Sequence, residues 1–418
     1  MADVAVQPGA EQAQRPWPAA LRILFRFVCC YWVLYALPDS GRVNIFYEIP
    51  GASYVFKPYV SLCHAVTPWV AVHLFHVTGR AATYFRTGSG DTTLQYVQEL
   101  LFAAAAAAGA LIWSVLDRRR KDYRTVHGWL RLLVRYMLAF TLFAYGFAKV
   151  FPLQFQPPGF ARLIEPYGEF SPMGALWWFM GASIPYIIFS GTAEVTGGLL
   201  LLFRRTTTLG AMVATAVMAN VVALNFCYDV PVKLYSTNIL LMALFLLAPD
   251  GRRLAKVLVF NRSSEPADLP TPRFGRRWTR IVATVFWVLF VGANLVGHVV
   301  GGWGGYKSAY VNPTRPPLYG LYDVESGPAG WRKVAIQFPG AVTVRETDDT
   351  VLNLQASYDK DAVTLGRQGT YRWSRPDADH VLLEGGGAAP IRLRKIDTGK
   401  FLLVSRGFHW INEMPLNK

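Results

Sequence analysis

The chain has 418 residues, of which 52% are hydrophobic and 17% charged, with a mean hydropathy of +0.24. That is too apolar for an ordinary soluble protein, and several runs approach the ~20 residues that cross a bilayer. The formal charge is +15, and basic runs stand at "DRRRKDYR" (117–124), "RR" (204–205) and within 250–280. Lys and Arg gather in this way in cytoplasmic loops, so the basic balance describes topology and not nucleic-acid binding.

The four cysteines, Cys29, Cys30, Cys63 and Cys227, form no Cys-x-x-Cys, which leaves no disulfide framework or zinc ribbon. The first 18 residues lack the basic start and small-residue cleavage site of a signal peptide and read as a cytoplasmic tail. Candidate spans follow at 19–38, 94–116, 129–150, 176–203, 206–226, 236–248 with its flanks, and 280–300. The stretch 57–79 holds Pro58, Pro68, His64, His73 and His76, and a full crossing there would place "DRRRKDYR" outside. It is therefore expected to be re-entrant or interfacial, with the N-terminus inside and the C-terminus outside. Asn261-Arg262-Ser263 matches a glycosylation acceptor but falls on the inner side.

After the last span the hydrophobic period changes from helical to alternating. From about residue 330, "WRKVAIQF", "AVTVRE", "VLNLQASY", "DAVTLG", "TYRWS", "HVLLEG", "IRLRKI" and "FLLVSRGFHWI" read as an antiparallel β-domain of six to eight strands. The expected fold is an α-helical polytopic membrane bundle, with seven spans and one re-entrant or interfacial helix, followed by this small β-domain. Its parts are a tail (1–18), an N-terminal membrane region (19–127), a four-helix bundle (128–256), a cytoplasmic loop (257–279), the last span (280–302), a linker (303–329) and the β-domain (330–418).

Polar residues inside the spans need a partner, a cavity or a function. Arg131, Arg135, Tyr145 and Lys149 share one helical face. Glu194 lies ten residues from Arg204, roughly 15 Å along the helix and close to the membrane midplane. Small residues around it, including Gly197 and Gly198, allow close helix approach. Glu99, Asn220, Asn225 and His298 fall between midplane and outer surface, as do the loop carrying Asp91 and the turn "LNFCYDVPVKLYS" with Asp229 and Lys233. Their shared depth points to an outward-facing polar pocket for a small molecule. Glu194 and Lys149 are its candidate catalytic pair. Asp91, Glu99, Asn220, Asn225, Asp229, Lys233 and His298 are its candidate binding residues.

Local structure offers simpler accounts for some of these residues. Thr92 with Gln95 forms a capping box, and Asp91 can start the same helix. Asp229 and Lys233 are an i, i+4 pair, and Pro231 suits a first helical turn. Lys149 can snorkel to the interface. His73 and His76 lack further ligands at fixed spacing, so no metal is assigned.

Residues 128–250 contain "RLLVRYMLAFTLFAYGFAKVF", "GTAEVTGGLLLLF" and "NFCYDVPVKLYSTNILLMALFLLAPDGRRL". This pattern resembles the DoxX/DoxD-like membrane proteins, which share a four-helix bundle with an Arg-rich start, a Gly-x-x-Lys and an acidic residue before a Gly-rich segment. The matching positions are Arg131 and Arg135, Gly146 and Lys149, and Glu194 with Gly197 and Gly198. The resemblance implies a bacterial cytoplasmic-membrane protein, a subunit of or partner to a quinone-linked redox system. Quinone is the candidate cofactor. The expected partners are membrane lipids, a redox protein and a small molecule, with no nucleic acid. A non-catalytic chaperone or assembly factor, or a transporter or lipid-binding protein, are the alternatives, because fold analogy does not settle function.

Overall fold

The computed structural model describes residues 16–37, 46, 49, 51–85, 90–266, 276–387, 389–414 and 416. The expected tail up to residue 15, most of the "TGSG" loop and the centre of the loop before the last span lie outside them. The helices are α1 (Ala19–Ala36), α2 (Ala52–His73), α3 (Thr93–Leu116), α4 (Arg124–Val150), α5 (Phe160–Leu163), α6 (Pro172–Gly181), α7 (Ile184–Leu202), α8 (Thr207–Cys227), α9 (Lys233–Leu247), α10 (Gly251–Leu258) and α11 (Arg277–Tyr306). Among the described residues, seven helices are long and apolar enough to cross a membrane: α1, α3, α4, α7, α8, α9 continued by α10, and α11. The chain divides into two compact units, 1–146 with 192–298 and 147–191 with 299–418.

The expected span 176–203 is two helices. Pro185 restricts the residue before it and supplies no N–H, so the helix starts afresh there. Ser183 Oγ accepts the freed N–H of Tyr186 at 3.4 Å. The capping box expected at the start of α3 is present: Thr92 Oγ1 accepts from Gln95 N and Gln95 Oε1 from Thr92 N.

In the first unit, neighbouring helices run antiparallel, and small residues let them approach. Arg26, near the start of α1, donates to Ser114 Oγ and the Asp117 carbonyl at the end of α3. A Cβ on Gly198 of α7 would lie 2.6 Å from the Phe143 ring of α4, and one on Gly210 of α8 would lie 2.8 Å from the backbone nitrogen of Leu201. Arg131 Nη1 of α4 donates to the Leu246 carbonyl near the end of α9. Asn225 meets Ser236 at one end of the α8–α9 pair, and Thr208 meets the Asp250 carboxylate at the other. Phe290 of α11 packs on Phe140 of α4, and Trp287 on Phe203. The spans thus alternate in direction, and the basic connections 117–124, 204–205 and 250–256 share the end at which α1 begins.

α2 does not run alongside α1 and α3 from end to end. Tyr59 Oη donates to the Leu34 carbonyl, three residues from the start of the turn after α1, while Ala71 packs with Leu94 and Val97 at the start of α3. Both contacts lie at the same end of the antiparallel α1–α3 pair, although Tyr59 and Ala71 are roughly 18 Å apart along the helix.

The second unit contains a closed, eight-stranded antiparallel barrel in sequential order: β1 (Gly320–Ser326), β2 (Trp331–Phe338), β3 (Ala341–Glu346), β4 (Val351–Asp359), β5 (Ala362–Leu365), β6 (Thr370–Ser374), β7 (His380–Gly385) and β8 (Ile391–Lys395). Pairing of Tyr322 with Lys395 and Val324 with Leu393 joins β8 to β1 and closes it. Inward residues alternate along each strand, and Trp331, Val334, Ile336, Val344, Tyr371 and Leu393 are among those that fill the interior. The strand count agrees with the alternating runs, but the set differs at both ends. "GLYDVES", placed in the linker by the sequence reading, is β1. "FLLVSRGFHWI" is not a strand; it holds a single helical turn, α12 (Leu402–Ser405). Closure explains the second difference, because a closed barrel has no edge to which a ninth strand can add.

The segment 147–191 is fixed to this barrel by polar contacts. Phe160 N donates to Gln337 Oε1, and the buried Arg345 guanidinium of β3 donates to Glu169 Oε2 at 2.7 Å and Asp349 Oδ1 at 2.9 Å. The Arg345 hydrogen bond, with a further one from Arg332, holds the Asp349 carboxyl below the usual carboxylate range against the opposing effect of desolvation. A depressed native pKa stabilises above the unfolded value of about 4 and is lost as pH falls through the lower native value. Stability of the barrel to denaturant should therefore fall below about pH 4, and Asp349→Asn should reduce that acid dependence.

Candidate functional site

The turn "LNFCYDVPVKLYS" joins α8 to α9, and its geometry is set by a residue 142 positions away. Asp91 Oδ2 accepts the N–H of Lys233 at 2.7 Å, and Oδ1 accepts the N–H of Leu234 at 2.9 Å. These are N-terminal donors of α9 without a partner in their own helix, so one carboxylate satisfies two of them and lies at the positive end of the helix dipole. Asp91 does not start its own helix in this arrangement; it caps another. Its left-handed backbone, φ 61°, directs the carboxylate there, and Gly90 beside it lies close to the Pro231 carbonyl.

The remaining polar residues of the turn also bond internally. Lys233 Nζ donates to Asp229 Oδ1 at 2.8 Å, the i, i+4 pair visible in the sequence, and the Asp229 side chain is 84% exposed. Asn225 is buried; its Nδ2 donates to Ser236 Oγ, and its carbonyl accepts from Val230 N. The structure thus gathers Asp91, Asn225, Asp229 and Lys233 at one corner, where α8, α9 and the entry to α3 meet.

One turn further into the helices lies a second polar group. The Tyr31 hydroxyl of α1 is 2.8 Å from Glu99 Oε2 of α3 and 2.7 Å from Asn238 Oδ1 of α9. The Asn238 amide is oriented by its own Nδ2, which donates to the Leu234 carbonyl at 3.0 Å. Asn238 is buried and Glu99 half-buried. A hydroxyl has one proton to give, and here it stands between two acceptor oxygens. The sequence reading singled out Glu99 but missed Tyr31 and Asn238. Asn238 was legible by the rule that flagged Asn220, a polar residue within an apolar helix. Tyr31 sits among Tyr and Trp residues that carry no such signal.

Glu194 lies in the middle of α7 and is 3% exposed. The glycines that follow it are explained by packing: Gly197 lies against Leu142 and Gly198 against Phe143. Lys149, the other member of the candidate pair, is also buried and belongs by sequence to the second unit. His298 is half-buried on α11, whereas Asn220 is exposed on α8. His73 Nδ1 lies 2.8 Å from the Trp69 carbonyl, and its ring stacks on Trp69.

The cap makes a graded prediction. Asp91→Asn keeps a residue that tolerates the left-handed backbone but leaves one acceptor for two N–H groups, whereas Asp91→Ala removes both acceptors and strains the backbone. Thermal unfolding of the detergent-solubilised protein should show a loss of about 1–2 kcal/mol for the alanine variant and a smaller loss for the asparagine variant.

No protein-family model matches the chain, and no solved structure matches it. The uncharacterized protein YwoB of Bacillus subtilis is 34% identical over 128 residues, which cover 28% of this chain and 75% of that relative. With identity and coverage at that level, the chain belongs to the family of this uncharacterized Bacillus protein.

Proposed function

We propose that the chain is a multi-pass protein of a bacterial cytoplasmic membrane that serves a quinone-linked redox system, with DoxX-like character in the α4, α7, α8 and α9 bundle. The observation that carries this reading is the partly buried Tyr31 hydroxyl between the Glu99 carboxyl and the Asn238 amide, a cluster drawn from three helices that includes an ionisable group. Reduction of a quinone takes up two electrons and two protons. A redox partner supplies the electrons in this reading, and Glu99 is positioned to give one of the protons. Glu194, also buried within the helices, is the second candidate proton carrier.

Orientation follows the positive-inside rule, with the shared basic end cytoplasmic and the Asp91 end, carrying the Tyr31 group, facing outward. Seven alternating spans then put the barrel in the periplasm. α2, whose Tyr59 and Ala71 both contact the α1–α3 pair at that outer end, is read as an interfacial helix. The barrel interior is filled by side chains, so in this reading it serves as a docking surface and not as a carrier.

The test is mass spectrometry of small molecules retained by the purified protein. Wild type should retain a quinone, and Glu99→Ala should weaken retention about tenfold, the ~1.4 kcal/mol of one hydrogen bond, with Glu99→Gln closer to wild type. Absence of quinone from the wild type, or equal retention in all three, contradicts the reading. Loss of function on deletion of the barrel alone, with Glu99→Gln fully active, favours the assembly-factor alternative.

A further inference from the structure

The segment that the barrel leaves out is an apolar, exposed stretch of the second unit. After β8, the Ile396 N–H still pairs with the Leu321 carbonyl, and Asp397 then turns the chain by accepting from Gly399 N. From there Leu402, Leu403, Val404, Phe408, Trp410, Ile411 and Met414 are all exposed, Trp410 at 92%. Phe408 and Trp410 pack on each other with ring centroids 5.0 Å apart, and Arg406 donates to Asn412 Oδ1. The segment therefore has local order, yet its large apolar side chains face outward. A row of this kind marks a surface that is covered in use.

We infer that residues 401–414 form a lipid-facing anchor that lays the barrel on the membrane surface. This rests on the reading of α11 as a membrane span. Three observations select lipid over another protein as the occupant. Residues 312–319, which join the helical segment ending at Val311 to β1, extend to at most about 29 Å, so the barrel cannot leave the vicinity of the bilayer. The exposed residues include Trp and Phe, the side chains suited to the headgroup boundary, interleaved with aliphatic ones. Lys400 precedes the apolar row and Arg406 lies within it, against the one carboxylate of Glu413, and the two cations provide charge complementary to anionic lipid headgroups.

The experiment uses the full chain, with its four native cysteines replaced, in nanodiscs of phosphatidylethanolamine and phosphatidylglycerol carrying a lipid-borne quencher. An environment-sensitive fluorophore is placed at Trp410→Cys, at Leu289→Cys on the exposed face of α11, and at Lys360→Cys on the β4–β5 turn. The anchor predicts that position 410 loses most of its emission, as position 289 does, while position 360 keeps its emission. Quenching at 289 with none at 410 overturns the anchor and leaves the membrane reading intact. Absence of quenching at 289 overturns both. Quenching of 410 by a quencher on a second copy of the chain, and not by lipid, overturns the anchor in favour of self-association.

Discussion

Hydrocarbon offers no hydrogen bonds, so every polar group carried into an apolar helix has to find its partner within the protein. That constraint organises the helical unit. At the basic end, buried Arg26 divides its donors among the Tyr123 hydroxyl, Ser114 and the Asp117 carbonyl, fixing α1 to the α3–α4 connection. Asp250, also buried, is held by Arg253 and Thr208. At the other end, Asp91 supplies the missing acceptors of α9. Between these ends the helices meet through glycine and alanine, where close approach replaces polar bonding.

The same requirement separates residues that hold the fold from residues available to chemistry. Asp91, Asn225, Asp229 and Lys233 meet at one corner, and the bonds seen there join loop to helix or helix to helix. The Tyr31 group differs in kind. Its three members come from α1, α3 and α9, with the Tyr31 hydroxyl between the Glu99 carboxyl and the Asn238 amide. An Asn or Gln at position 99 satisfies the same geometry without a carboxyl. In the proposed function the carboxyl adds what an amide cannot, a transferable proton.

Much of the fold was legible because it follows from composition and period. Helices long enough to span, the capping box at Thr92 and Gln95, and the Asp229–Lys233 pair all depend on residues within four positions of one another. What was not legible depends on residues far apart in sequence. Asp91 reads as a local helix start until α9, 142 residues later, is packed beside it. Likewise "GLYDVES" and "FLLVSRGFHWI" are both strand-like runs, and only closure of the barrel decides that the first is paired and the second excluded. Of the candidate site, the shared depth of the polar residues was visible in the sequence. The grouping of Glu99 with Tyr31 and Asn238 was not, because periodicity places a residue on a face of its own helix and says nothing about which helix lies opposite.

The account depends most on the proposal that Glu99 carries a transferable proton. Infrared spectroscopy of the wild type and Glu99→Gln proteins, each in H2O and D2O, detects it as the C=O stretch of a protonated carboxyl. The account predicts a deuterium-sensitive carboxylic acid band at neutral pH that is present in the wild type and missing in Glu99→Gln. Identical spectra in that region contradict it, since Glu99 is then ionised and the Tyr31 group is a structural contact only.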